Sequence, residues 1–132
     1  MNEVTPMNKL HGMRCTAVVK QDYAWTFVFN EGKAVLNLEC PWRLLLRGSI
    51  VLGDTDDGQK FGLPAPVSGV RRATELLDSS LIVSVDVRRG PSDLAINFQN
   101  GVSLEAFNMS CGYEAWTCDI QNCPTIVAQG GR

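Results

Sequence analysis

Apolar and polar residues alternate along most of the chain, which is the pattern of strands that bury one face. In AWTFVF (24–29), Trp25, Phe27 and Phe29 fall on the same face. Similar alternating or β-branched segments are 14–20, 33–40, 42–53, 81–88, 93–98, 102–109 and 113–120. Helical spacing is convincing only in VRRATELLDSS (70–80). The pattern predicts a mainly β (α+β) protein of about eight antiparallel strands with one short helix.

The strand pattern of the first half recurs in the second. WTFVFNEG (25–32) aligns with LAINFQNG (94–101) at an offset of 69 residues. Because strand side chains alternate with a period of two, a later insertion of two residues keeps every side chain on its face. We therefore predict two pseudo-repeated halves that pack as a sandwich or form a curved, partly closed sheet, with the helix between the halves.

Beyond the turn, NLECPWR (37–43) aligns with NMSCGYE (108–114) at an offset of 71. The aligned pairs are Cys40 with Cys111, Pro41 with Gly112, Trp42 with Tyr113 and Arg43 with Glu114. These two sharp corners carry opposite charges. The sequence leaves two alternatives open: Arg43 and Glu114 form an ion pair near the pseudo-two-fold axis, or both are exposed and unpaired.

The length of 132 residues suits one domain with its own core. We predict a single domain over 11–123, with halves at about 13–53 and 81–120 joined by the loop and helix of 54–80. The ends, 1–10 and 124–132, are polar or glycine-rich and lack periodicity. They are predicted to be flexible tails.

Charge and composition argue against some classes of partner. Twelve basic residues against fourteen acidic ones give a net charge of −2, which offers no general attraction to nucleic acid. No run of about 18 apolar residues occurs, so no membrane span is predicted. The N-terminal segment has no apolar core of a secretory signal, and a cytoplasmic location is therefore expected.

Catalytic and metal-binding patterns are weak. His11 is the single histidine and lies at the periphery, and no G-x-S-x-G motif occurs. Five cysteines, an odd number, argue against a closed disulfide framework. Their spacing is not specific for zinc, so no metal and no cofactor are predicted. Cys15, Cys40 and Cys111 are interpreted as buried strand residues, whereas Cys118 and Cys123 are left open between free thiols, a disulfide and a metal site.

Two loop segments are candidates for contacts. DTDDGQK (54–60) has glycine at the fifth position and glutamine at the sixth, so it fails the EF-hand pattern and is interpreted as an acidic solvent loop. It could face a basic partner. FGLPAP (61–66) either packs over the sheet or forms an exposed apolar patch.

GMRC, WTFVF, ECPWRL and FNMSCGYEAW, with the central Asp-Gly loop, resemble an uncharacterised family of short bacterial proteins, a domain of unknown function, over roughly residues 11–120. Some small bacterial proteins of this size and charge are immunity proteins that bind toxins, and the resemblance implies a role of this kind.

Two functions follow as expectations. The first is a non-catalytic protein-binding module of immunity-protein type, with a toxin-like partner or a homodimer. The alternative is a small-molecule-binding or enzymatic β domain with a pocket between the halves. The missing catalytic motifs weigh against an enzyme. The predicted contacts are the acidic loop and whichever corner residues are exposed: Asp54, Asp56, Asp57, Trp42, Arg43, Tyr113, Glu114 and Trp116.

Overall fold

A computed structural model describes residues 6–129 and shows, within them, ten strands in two antiparallel sheets. The strands are β1 Cys15–Gln21, β2 Ala24–Phe29, β3 Ala34–Leu38, β4 Trp42–Leu46, β5 Ser49–Gly53, β6 Ile82–Val87, β7 Leu94–Phe98, β8 Val102–Ala106, β9 Glu114–Ile120 and β10 Ile126–Gln129. The sheet orders are β1-β2-β3-β9-β10 and β5-β4-β8-β7-β6. One α-helix, α1 (Gly69–Leu77), lies between the halves. The mainly β fold with one short helix is confirmed.

The core lies between the two sheets. In β2, β3, β7 and β8 every second residue is buried, as the alternating sequence predicts. The buried side chains of both sheets form one cluster. The Trp42 ring of the second sheet meets Trp25 and Phe27 of the first edge-on, with centroids 4.9 and 5.3 Å apart. The architecture is a sandwich.

The two predicted halves are present, and they exchange strands. The first three strands of the first half pair with the last two of the second, and the reverse holds in the other sheet. A bridge between Arg14 and Leu81 joins equivalent residues. Equivalent hydrogen bonds flank it, from Asn30 N to Arg14 O (3.0 Å) and from Gln99 N to Leu81 O (2.8 Å). The pseudo-two-fold axis therefore passes near this bridge.

The strand register corrects the predicted alignment after the turn. Leu38 faces Trp116 between β3 and β9, and Ala106 faces Trp42 between β8 and β4. The two tryptophans are therefore equivalent, at an offset of 74 residues, and Trp42 does not correspond to Tyr113. The offset of 71 was wrong because the loop after β8 is longer than the loop after β3.

Both ends of the domain extend further than predicted. Pro6–Leu10 forms a 3-10 helix that buries Met7 and Leu10, and it packs on β6. The residues of β10 pair with β9. The tail prediction is thus wrong for these segments, because apolar residues at both ends close the side of the sandwich. Residues 1–5 and 130–132, also predicted as tails, lie outside the described residues.

The predicted strand 42–53 is two strands. Arg47 and Gly48 both have positive φ, 49° and 86°, and reverse the chain between β4 and β5. Two such residues suit a tight hairpin turn. Among residues 6–129, no helix has the length and apolar character needed to cross a bilayer.

Candidate functional site

The two halves differ most in their connections. Three residues, 39–41, link β3 to β4, whereas seven, 107–113, make the equivalent link from β8 to β9. The linker 54–68 joins the halves. The strand pairings repeat without these additions, so the additions are not needed to build the sandwich. They are therefore the first places to look for function.

The loop 107–113 is held in place by hydrogen bonds. The Asn108 backbone N–H donates to Asp93 Oδ1 (2.9 Å), and its side-chain amide donates to Pro91 O (2.9 Å). Asn108 Oδ1 in turn accepts from Ser110 N, and Ser110 Oγ accepts from Tyr113 N at 3.0 Å. The loop is thus preorganised rather than dependent on a partner for its shape.

This loop presents two large side chains to solvent. Met109 is 76% exposed and Tyr113 is 81% exposed. They line a depression of about 310 Å³ together with the exposed carboxylates of Glu39 and Glu114. We call these four residues the loop surface. Neither carboxylate takes part in the two ion pairs found among residues 6–129.

Trp42 and Trp116 are not surface residues. Both are buried in the core, so their predicted role as contacts is wrong and Tyr113 is the exposed aromatic of the corners. The Trp116 indole Nε1 donates to Ser92 O at 2.9 Å. The Trp42 Nε1 has no hydrogen-bond partner among the described residues.

Arg43 forms an ion pair with Glu105 and not with Glu114. Its Nε lies 2.8 Å from Glu105 Oε1, and its guanidinium lies over the Phe107 ring, 5.0 Å from the centroid. The register places Arg43 opposite Glu105 on β8, whereas Glu114 is exposed at the start of β9. The Arg43–Glu114 pair is therefore ruled out in this fold.

The acidic loop is largely used to hold the linker. Asp56 Oδ2 accepts from Gly53 N (2.8 Å). Asp57 accepts from Gly69 N at the start of α1 (2.7 Å) and from Lys20 Nζ (3.0 Å). A Cβ on Gly69 would lie 2.6 Å from the Trp25 ring, so the helix can begin this close only at glycine.

The pKa shifts in this loop follow from these contacts. The Gly69 N–H and Lys20 hold the pKa of Asp57 below its ordinary value. Burial raises the pKa of Asp54, against hydrogen bonds from backbone N–H groups that lower it. The hydrogen bonds of Asp56 and Asp57 therefore hold the linker in place, whether or not these residues also contact a partner.

The cysteines show little reactive character. Burial raises the pKa of Cys15 and of Cys40 to about 11 and that of Cys118 to about 12, so their thiols are protonated at neutral pH. Cys111 is exposed, which corrects its predicted burial. Cys123 lies 3.2 Å from Lys9 Nζ. All five are free thiols, and no three His, Cys, Asp or Glu groups within 6–129 could hold a metal ion.

The apolar loop 61–66 is exposed rather than packed over the sheet. Phe61 is 67% exposed and Leu63 is 54% exposed. Of the two alternatives for this loop, the exposed apolar patch is therefore the one observed, whereas Met109 and Glu39 are surface residues that the sequence pattern did not select. Met109 was assigned to a strand, and its position in an insertion appears only when the strand register is known.

No protein-family model, curated protein or solved structure matches the chain significantly.

Proposed function

We propose that this protein is a non-catalytic protein-binding module of the immunity-protein type, which binds a basic partner protein through the loop surface. The observation that carries the proposal is the presence of Met109 and Tyr113, both highly exposed, on a loop that its own hydrogen bonds hold rigid. Rigid aromatic anchors bind at low entropic cost and dominate the energetics of many interfaces.

The charge of the loop surface supports a basic partner. Glu39 and Glu114 flank the exposed tyrosine, and no ion pair among residues 6–129 neutralises them. Asp54 and Asp93 lie close enough to raise the pKa of Cys40, which lines the same depression, although burial is the larger cause. Carboxylates arranged in this way attract a basic surface and increase its association rate at low ionic strength.

The test is a pair of tyrosine variants. Tyr113→Ala is expected to weaken binding to the partner by about 2 kcal/mol or more, about thirtyfold in Kd, because it removes the central anchor. Tyr23→Ala is the matched control, since Tyr23 is 95% exposed and lies in the turn between β1 and β2, outside the loop surface. The partner is first isolated by cross-linking from a photoreactive residue at position 109, and Kd is then measured with purified proteins.

The carboxylates are tested by association kinetics. The double variant Glu39→Gln/Glu114→Gln is expected to lower the association rate and to weaken the dependence of that rate on salt. The dissociation rate is expected to change less. Equal loss of binding in Tyr23→Ala and Tyr113→Ala, or a salt-independent association rate, would contradict the proposal. If the chain forms a homodimer through Tyr113, the partner is a second copy of the chain and not a different protein. Light scattering of the purified chain detects such a dimer.

A further inference from the structure

A second depression lies away from the loop surface, beside the segment that joins the two halves. It has a volume of about 360 Å³ and is formed by β5 of the first half, the linker and α1. Its apolar lining includes Val51, Leu52 and Val67, with Phe61 and Leu63 of the linker. Because two arginines also line it, we call it the arginine groove. It shares no residue with the loop surface.

The linker wall of the arginine groove is preformed. Gly58 N donates to Val67 O and Val67 N donates to Gln59 O, both at 2.8 Å, so the two arms of the linker are tied together. Asp57 binds the start of α1 and fixes one arm against the helix. Volumes of about 300 Å³ and above with mainly apolar lining are typical of sites for small ligands.

The charged groups of the groove are two arginines and two carboxylates, and the two arginines lie together at the start of α1. Arg71 and Arg72 lie in the first turn of α1, both are exposed, and neither takes part in an ion pair among residues 6–129. Of the two carboxylates that line the groove, Asp56 already accepts from the Gly53 N–H at the end of β5, and Glu75 lies a turn further along the helix.

The helix end itself is not the donor. The first-turn backbone N–H groups of Gly69 and Arg71 are bound to Asp57 and to Ser68 Oγ, respectively. The guanidinium groups of Arg71 and Arg72 are therefore the available donors. Guanidinium groups bind carboxylate and phosphate oxygens through charge-assisted hydrogen bonds.

We propose that the arginine groove binds a small amphipathic anion. A carboxylate or phosphate head group lies against Arg71 and Arg72, and an apolar tail lies along Val51, Val67 and Leu63. Glu75 repels the head group from the far end of the groove and so orients the ligand. The class of ligand follows because a preformed apolar groove adjoins two arginines that form no ion pair among residues 6–129.

The experiment is a titration of the full chain with decanoate, decyl phosphate and the neutral decanol, with the two anions below their micelle-forming concentrations and decanol below its solubility limit. Methyl NMR signals of valine and leucine report the site. At least one of the two anions is expected to shift the methyls of Val51, Leu63 and Val67 in a saturable way, about tenfold or more tightly than decanol. Comparing the two anions distinguishes a carboxylate ligand from a phosphate ligand.

The variant Arg71→Gln/Arg72→Gln is expected to lower the affinity for the anion about tenfold or more, to the level of decanol. Arg88→Gln/Arg89→Gln is the matched control, because these arginines are also adjacent and exposed but lie between β6 and β7. The control is expected to keep the affinity of the parent chain.

Three outcomes would overturn the inference: decanol binding as tightly as the anions, equal losses in the two double variants, or no saturable shift with any ligand. Because the changed residues are exposed, the variants are expected to fold, and circular dichroism checks this. A second variant, Leu63→Asp, places a carboxylate in the groove and is expected to weaken anion binding without changing either arginine. The loop surface is untouched in all of them, so this inference and the proposed function can fail separately.

Discussion

At the scale of single residues, Trp42 and Trp116 show how equivalent positions differ. Both are buried, and each follows the corner of its half. The Trp116 indole N–H donates to the Ser92 carbonyl, whereas that of Trp42 has no partner among residues 6–129. Trp42 instead contacts the rings of Trp25 and Phe27. The Trp116 site is thus stabilised by a hydrogen bond. The Trp42 site is stabilised by aromatic packing, although its indole N–H is unsatisfied among residues 6–129.

This difference predicts unequal effects of the same substitution. Trp116→Phe leaves the Ser92 carbonyl without its indole donor, whereas Trp42→Phe removes a donor that has no partner in the described part of the chain. Both lose ring volume, so we expect Trp116→Phe to lower the free energy of unfolding by about 1 kcal/mol more. Urea denaturation of the two variants measures it. Equal losses, or a larger loss at Trp42, would contradict the assignment of the hydrogen bond.

At the scale of elements, the linker is the clearest departure from the repeat. It binds α1 through Asp57, which accepts from Gly69 N and from Lys20 Nζ. Lys20 also lies over the Trp25 ring, 5.3 Å from its centroid. One carboxylate therefore connects the linker, the first turn of α1 and β1. Phe61 and Leu63 are carried on a loop whose position is set by this contact.

The pKa of Asp57 makes this contact dependent on pH. Its folded pKa is lowered from the ordinary 3.8, so the unfolded chain takes up the proton first as the pH falls. The stabilisation is present above pH 3.8 and is lost as the pH falls through the folded pKa. We expect Asp57→Ala to lower the free energy of unfolding by about 1 kcal/mol at pH 7, as loss of a helix cap does.

Below pH 3.8 the difference between the parent chain and Asp57→Ala should shrink. Thermal denaturation from pH 7 to pH 2.5 measures it, with Asp86→Ala as the control, because Asp86 is exposed on β6. A difference that stays constant over this range would show that the charge of Asp57 does not contribute.

At the scale of the whole molecule, the sequence predicts the class of fold well because alternation and a repeat are local patterns. The strand and turn over 25–32 and their copy over 94–101 are confirmed, since β2 pairs with β3 as β7 pairs with β8. The exchange of strands was not predictable, since pairing between β3 and β9 depends on contacts across about 80 residues. The segment 42–53 was predicted as one strand because a glycine such as Gly48 is compatible with a bulge or bend within a strand as well as with the tight turn that it forms here.

The candidate site was predictable only in part. Tyr113 and Glu114 were selected by their place at a corner, and both are exposed. Trp42 also lies at a corner of the sequence pattern, but it is buried in the core. A shift of one residue along a strand moves a side chain from the solvent face to the core face, so the corner position alone does not predict exposure. Apart from its apolar loop 61–66, the arginine groove had no sequence signal, since β5 and α1 meet only when the linker is folded.

The symmetry of the whole molecule predicts that the chain ends can be joined. Pro6 and Met7 line a cavity with Ile126 and Val127, so the described ends of the chain lie side by side. The equivalent connection in the chain is the linker, which leads from β5 to α1 as the new junction would lead from β10 to the Pro6–Leu10 helix. A chain that joins residue 132 to residue 1 through a Gly/Ser segment and opens inside the linker should therefore keep the same strand pairings.

We expect the permutant that opens between Pro64 and Ala65, two exposed residues, to fold with a free energy of unfolding within about 2 kcal/mol of the parent. The reason is that loop-closure entropy changes by only about 0.6 kcal/mol for each doubling of loop length.

The control has the same junction but opens after Asn100, whose backbone N–H donates to Ser80 Oγ and whose amide donates to Leu76 O. It should lose more stability, because the cut frees the turn that these bonds attach to α1 and the segment after it. If the first permutant unfolds and the control does not, the linker is part of the folding unit rather than a connection between two equivalent halves.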